Sequence, residues 1–275
     1  MNPIWIIAAK EVKDALRNRW IISSTLLLAG LAFGLAFLGS TPTGTLAAKP
    51  LAVTVVSLAG LTIFLIPLIA LMLAYDALVG EKERGTLLLL LTYPVTKNQI
   101  ILGKFLGHLT VLAVATVLGY GSAGWAVAWG GEGADRQSLL AFASLLGSSI
   151  LLGGVFTAIA YLVSVLVRER GTAAGVAIGI WLFFVVLYDM GLLGLLVATR
   201  GQIHEQVFPW LLLANPTDVY RLFNLISFDN TRVFSGLAGI SNDVGFSPAT
   251  LLITLVAWML LPLGVAGWRF NKVEM

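Results

Sequence analysis

The sequence contains no cysteine. Disulfides, thiolate nucleophiles and thiolate metal sites are therefore excluded, and the redox compartment leaves no trace. Charge is almost as scarce. Only 11% of the 275 residues are Asp, Glu, Lys or Arg, against 58% hydrophobic, and an ordinary soluble domain carries about twice that charge. Histidine occurs only as His108 and His204, and away from the termini methionine is scattered as Met72, Met190 and Met259. A path for a soft metal needs clustered ligands, which these residues do not supply. No metal and no cofactor is expected on this chain. The P-loop G-x-x-x-x-G-K-[ST], the elbow G-x-S-x-G and H-E-x-x-H are all missing, and His204-Glu205 lacks its second histidine. Ser122 and His108 stand almost four turns apart on one expected helix and make no dyad. The chain reads as non-enzymatic.

What is abundant is uncharged apolar sequence. Trp20–Ala48, Leu51–Tyr75, Phe105–Gly131, Gln137–Val167 and Val244–Trp268 each exceed 18 residues without Lys, Arg, Asp or Glu. A sixth stretch, Gly171–Thr199, is interrupted only by Asp189. Each is long enough to cross a bilayer as a helix, which takes about 20 apolar residues. The short alternating segments of a membrane barrel are absent. The expected fold is an all-α polytopic membrane protein, one transmembrane domain over residues 1–275 with six transmembrane helices.

Basic residues orient it. An even number of crossings puts both termini on one side, with Lys10, Lys13, Arg17, Arg19, Lys82, Arg84, Lys97, Lys104, Arg168, Arg170, Arg269 and Lys272. The other side receives Lys49, Arg136, Arg200, Arg221 and Arg232. Twelve against five makes the termini cytoplasmic by the positive-inside rule. Topology thus explains the net charge of +3, and no nucleic-acid partner is needed to account for it.

Three regions outside the spans carry design. Residues 1–19 hold an amphipathic interfacial helix, Pro3 to Asn18, with Ile4, Trp5, Ala8, Val12, Ala15 and Leu16 on one face and Lys10, Lys13 and Arg17 opposite. Such a helix lies in the interface plane as an anchor; a second reading gives it a contact with a cytoplasmic partner. Residues 81–99 form a charged segment wedged between two spans, Glu81-Lys-Glu83-Arg84-Gly85-Thr86-Leu87 running on through Leu91 to Pro94. Gly85-Thr86 starts a leucine-rich turn, Pro94 stops it, and Thr96 with Gln99 makes a capping box for the next span. A short helix held at the membrane surface in this way is a peg for a soluble partner. Residues 200–246 form the largest loop on the far side, with one or two short helices expected to lie on the outer surface. Pro209-Trp210 leads into Asn215-Pro216-Thr217-Asp218, where Asn215 suits an N-cap, Pro216 the first helical position and Asp218 the positive end of the dipole.

Small and polar residues inside the spans need separate readings. Gly119-Tyr-Gly121-Ser-Ala-Gly124 is a literal G-x-G-x-x-G, but it falls inside a span whose amides are already committed, so it reads as a packing face. Gly171, Gly175 and Gly179 put three small residues on one face and favour close approach of another helix, within the subunit or across a dimer. Gly30/Gly34 and Gly103/Gly107 repeat the spacing more weakly. Asp189 is the one acid deep in a span; isolated there it would cost roughly 2.5–3.5 kcal/mol. It is protonated, paired within the bundle, nearer the outer surface, or a proton or substrate site.

Glu81-x-Glu83-Arg84-Gly85-Thr86-Leu87, Leu90-Leu91-Thr-Tyr-Pro94-Val-Thr96 and Ile101-Leu-Gly103-Lys104 resemble the signature of type-2 ABC-transporter permeases. From Met-Asn-Pro-Ile-Trp through this signature, the chain further resembles the permeases of nitrous-oxide-reductase maturation systems, which assist copper–sulfur site assembly. The resemblance implies a bacterial inner membrane, a second copy of this chain, two copies of a cytoplasmic ATPase that binds ATP and Mg, and a periplasmic solenoid protein. It makes Glu81–Pro94 a coupling helix against the ATPase, through Glu83 and Arg84 and the leucines Leu87–Leu91. It makes Arg168, Glu169 and Arg170 a second, smaller contact. Trp210, Asn215, Asp218, Tyr220 and Arg221 would then seat the periplasmic partner. Two rivals stay open: an exporter of a lipid, peptide or drug-like molecule, and a proton-driven carrier switched at Asp189.

Overall fold

The computed structural model describes residues 2–17, 19–38, 50–130, 136–199, 208–226 and 246–272, which are helices joined by short turns. In order they are α1 (Pro3–Leu16), α2 (Arg19–Leu38), α3 (Pro50–Ala74), α4 (Val79–Glu83), α5 (Thr86–Leu91), α6 (Lys97–Gly130), α7 (Arg136–Leu166) and α8 (Arg170–Leu182). A π-helical turn, Phe183–Leu187, joins α8 to α9 (Tyr188–Ala198); α10 (Phe208–Leu213), α11 (Pro216–Ile226) and α12 (Pro248–Lys272) follow. Among the described residues, five helices are long and apolar enough to cross a membrane: Val55–Glu83, Lys97–Ala126, Arg136–Leu166, Arg170–Ala198 and Pro248–Lys272. The apolar helix α2 stands beside them, packed on α6 and α3.

Local signals set the helix ends. Asn2 caps α1 by accepting from the Ile4 N–H at 3.2 Å, with Pro3 at the first helical position. At the start of α6 the Thr96 N–H donates to Gln99 Oε1 (2.9 Å) and the Gln99 N–H to Thr96 Oγ1 (3.2 Å), the reciprocal capping box expected there. Gly85 between α4 and α5 sits at φ +71°, a left-handed conformation that favours glycine, so the chain turns there and α5 restarts at Thr86.

The core is organised around α7, which packs against α3, α6, α8, α11 and α12 and is buried over most of its length. Glycines admit the closest approaches. A Cβ on Gly103 would stand 2.8 Å from Ile7 Cβ, and one on Gly107 2.6 Å from Glu11 Cβ, so α1 rests directly on the backbone of α6. Gly119 meets Leu28 of α2 and Gly124 meets Phe142 of α7, which makes the G-x-G-x-x-G a packing face. Gly171, Gly175 and Gly179, like Gly30 and Gly34, have nothing within 4 Å among the described residues.

Against the bundle α1 buries Ile7, Ala8, Glu11 and Ala15 and leaves Trp5 and Leu16 exposed. The glycine pair of α6 selects which face of α1 can come close. One expectation, that for α11, needs correction. The helix does not lie on an outer surface but enters the bundle against α7, α12 and α3, with Val219 and Tyr220 fully buried. Residues 200–207 and 227–245, with Arg200, His204 and Arg232, lie outside the described residues, as does Lys49.

Candidate functional site

The basic segments meet at one end of the bundle, and there the chain builds a knot of ion pairs. Lys104, about two turns into α6, is 3% exposed and lies 2.7 Å from Glu11 Oε1 of α1 and 2.7 Å from Glu81 Oε1 of α4. His108, the next turn along, lies 3.6 Å from the other oxygen of Glu11 and shares a 2.8 Å hydrogen bond with Tyr161 of α7. Burial, the largest single influence, would raise the Glu11 carboxyl; Lys104 first, then His108 and Lys10, together outweigh it and hold Glu11 below its ordinary value. A lysine this buried is tolerable only because two carboxylates face it. The second oxygen of Glu81 has no protein partner among the described residues.

Further bonds tie this knot to the rest of the bundle. Ser164 Oγ accepts from the backbone N–H groups of Leu78 and Val79, each at 3.0 Å, and so fastens the start of α4 to α7. Arg170 Nη2 donates to Asp76 Oδ2 at 2.8 Å, and its backbone N–H to Glu83 Oε1 at 2.7 Å, which joins the same corner to α8. Four helices thus grip the corner from which α5 projects.

The coupling residues expected from sequence divide in two. Glu81 and Leu87 turn inward, Leu87 being 2% exposed in the chain's own core, and Glu83 is held by Arg170. Arg84, Gly85, Thr86 and Pro94 are exposed, Leu91 is half-buried, and Leu88 and Leu89 are 58% and 64% exposed. Because α5 starts at Thr86, helical periodicity turns Leu87 inward and leaves Leu88 and Leu89 as its outward apolar pair. Arg168 and Glu169 are exposed, and Arg170 is half-buried against Asp76. Sequence reasoning missed Glu11, Asp76, Lys104 and Ser164 as parts of this corner. The available signal was a lone acid on the apolar side of a basic helix and a lysine inside the start of an apolar span.

The far end has its own charge cluster. Arg221 of α11 donates from Nη2 to Asp189 Oδ2 at 2.7 Å and from Nη1 to Asp218 Oδ1 at 2.8 Å. Asp189 is therefore paired within the bundle, although its Oδ1 has no protein partner among the described residues. Burial first, then the carboxylate of Asp189 alongside, pushes Asp218 up to about 7 against the pull of Arg221. Asn215 Nδ2 and Thr217 Oγ1 both donate to the Phe184 carbonyl, at 2.9 and 3.2 Å, in the π turn. Such a turn widens the i→i−4 ladder and leaves a carbonyl to accept from elsewhere. Tyr220 OH bonds Ser149 at 3.1 Å, and Asn224 Nδ2 donates to Ser148 at 3.1 Å. Asn215, Asp218 and Tyr220 are thereby spent on seating α11 and present no surface to a partner. Trp210, 69% exposed, and part of Arg221 remain outward. Among the described residues no three His, Asp or Glu side chains gather as a metal-ligand set.

Residues 5–275 match the family model of the ABC-2 family transporter protein. A protein described as "Probable ABC transporter permease protein NosY" from Stutzerimonas stutzeri is 48% identical over 273 residues, 99% of each chain. A protein of the same description from Pseudomonas aeruginosa is 46% identical over the same span, again 99% of each chain.

Proposed function

Because the chain belongs to the ABC-2 transporter family and is a multi-pass membrane permease, we propose that it couples two cytoplasmic ATPase copies to copper-site assembly of nitrous oxide reductase in the periplasm. In this reading the protein crosses the bacterial inner membrane six times, α2 being the first crossing, with both termini cytoplasmic. It acts beside a second copy of itself, whose α8 would use the open Gly171–Gly175–Gly179 face. ATP and Mg belong to the ATPase.

One observation carries the coupling: a short helix with two outward leucines projects from a corner gripped by four helices. ATP binding draws the ATPases together, and Leu88 and Leu89 follow them. The Lys104 knot passes the shift to α1 and α6, while Ser164 and the Asp76–Arg170 pair pass it to α7 and α8. At the far end, a periplasmic solenoid protein rests near Trp210 and the rim of Arg221. The output is movement of a sulfur species or mechanical transmission alone.

The test is co-purification from native membranes in mild detergent, for wild type and for Leu88→Glu/Leu89→Glu. Wild type is expected to bring an ATPase and a periplasmic protein. The double variant, changed only on an exposed face, is expected to keep the folded chain and lose the ATPase, with nitrous oxide reductase left without its copper site. ATPase retention by the variant would overturn the coupling role of α5. An ATPase without a periplasmic protein would point to a conventional exporter.

A further inference from the structure

At the far end one guanidinium faces two carboxyl groups, and of their four oxygens three have donors. Arg221 Nη2 donates to Asp189 Oδ2 at 2.7 Å, Arg221 Nη1 to Asp218 Oδ1 at 2.8 Å, and Asn215 Nδ2 to Asp218 Oδ2 at 3.1 Å. The fourth, Asp189 Oδ1, is buried and has no donor among the described residues. The Asp218 side chain, 3% exposed, lies within hydrogen-bonding reach of the Asp189 carboxyl, and two acceptors bond only with a proton between them. Fully ionised, the three side chains carry one negative charge in excess at a largely buried place. A single proton neutralises it and supplies the missing donor.

The seat of α11 divides in two around this cluster. Toward the span that carries the π turn, Arg221 holds Asp189, and Asn215 and Thr217 hold the Phe184 carbonyl, with Asn215 itself bonded to Asp218. Toward α7, Tyr220 bonds Ser149 and Asn224 bonds Ser148, ties that contain no group titrating near neutrality.

We infer that Asp218 and Asp189 share one proton, and that this proton latches α11 to the span carrying the π turn. Asp218 carries it and donates to Asp189; the oxygen that carries it keeps a lone pair for its present donor. The charged groups acting on Asp218 are Arg221 of its own helix and Asp189 of α9, with the Tyr188 hydroxyl beside them. Around them α3, α10 and the π turn hold no charged residue, the charges of α12 lie at its basic end, and α7 presents Ser148 and Ser149. Burial first, then Asp189, holds the Asp218 carboxyl up at about 7 against the pull of Arg221. Near neutrality the proton therefore leaves to water, past a rim where Arg221 is 38% and Asp189 27% exposed. Two carboxylates then oppose each other across the joint between α11 and α9, and α11 gives way there while α7 still holds it. The latch belongs to the chain itself and depends on neither an ATPase nor a periplasmic partner.

The experiment uses the full chain purified in mild detergent, from about pH 5 to about pH 8.5. Infrared spectroscopy reads the protonated carboxyl. Hydrogen exchange with mass spectrometry reads α11 against α7, with the intrinsic pH dependence of amide exchange divided out. Wild type is expected to show an aspartic-acid band that titrates away near pH 7 and is missing in Asp218→Asn. Released from its seat, Asp218 returns toward its ordinary 3.8, so between that value and 7 only the seated form keeps the proton. Opening of α11 should therefore grow as pH rises to about 7, by up to about tenfold per pH unit, and level off above it, while α7 stays protected. Asp218→Asn, whose amide can donate to Asp189 at every pH, should flatten that rise, and Asp189→Asn should move the midpoint of the band to lower pH. A wild-type spectrum without the band, or an unmoved midpoint in Asp189→Asn, would overturn the shared proton. An α11 that opens only together with α7, or whose opening is level from pH 5 to 7, would overturn the latch.

Discussion

The two ends of the molecule each place one cation between two carboxylates, yet they are built for opposite behaviour. At the basic end Lys104 is sealed between Glu11 and Glu81, and serine and arginine bonds hold the neighbouring backbone. At the far end Arg221 is 38% exposed between Asp189 and Asp218, one carboxyl is lifted to about 7, and an oxygen of Asp189 stays unpartnered. A sealed pair cannot trade partners with water, whereas a half-exposed pair can. One end behaves as a bolt and the other as a catch.

The largest expected effect breaks the bolt. Lys104→Ala leaves Glu11 and Glu81 buried without their cation, and loss of one partner from such a site costs about 3–5 kcal/mol. A thermal melt of the purified chain should fall steeply; a melt unchanged within error would show that water already enters the knot. Arg221→Ala should cost less, because its guanidinium is already 38% exposed and the buried Asp218, whose carboxyl is pushed up, can hold a proton in place of the cation. A drop as large as that of Lys104→Ala would erase the contrast between the ends.

A pH series sharpens it further. Asp218 has a folded value near 7, above its ordinary 3.8, so the folded state holds the extra proton. Its stabilising share is fully present below pH 4 and is lost as pH rises to about 7. Glu11 has the reverse sign: held below 4.5, it stabilises above that pH and loses its contribution as pH falls further. Melts from pH 4.5 to 7.5 should therefore decline, and Asp218→Asn should flatten the decline, whereas Glu11→Gln should not. The smallest effect belongs to Gly175→Ala, whose new methyl meets nothing among the described residues. Its melt should move by under about 0.5 kcal/mol, while the copy number seen by native mass spectrometry reports whether that face is covered.

Much of the fold was legible because membrane helices announce themselves by length and lack of charge. Caps were legible too, since Thr96 and Gln99 act within four residues of each other. The site was less so. That Leu87 turns inward and Leu88 outward depends on where α5 begins, and Gly85 fixes that only when its left-handed φ is known. Glu11, Asp76 and Ser164 lie 93, 94 and 86 residues from their partners, and no local pattern records such pairings. The polar residues of α11 looked like a contact surface because sequence shows that a helix is polar, not what its polar face meets. Glycine spacing shows that a helix can come close but not which one: Gly103 and Gly107 receive α1, while the run in α8 receives no helix among the described residues, which leaves it to a second copy.

The π turn at Phe183–Leu187 also sets the timing of the span it interrupts. A turn closed by i→i+5 bonds takes up one residue more than an α turn, which rotates everything beyond it by about 100°. Without that extra residue, the helix line carrying Asp189 would swing about a quarter-turn away from Arg221. The span therefore works as two cams on one shaft, set out of phase by a single inserted residue. The lower cam presents glycines outward, and the upper delivers its carboxylate to α11.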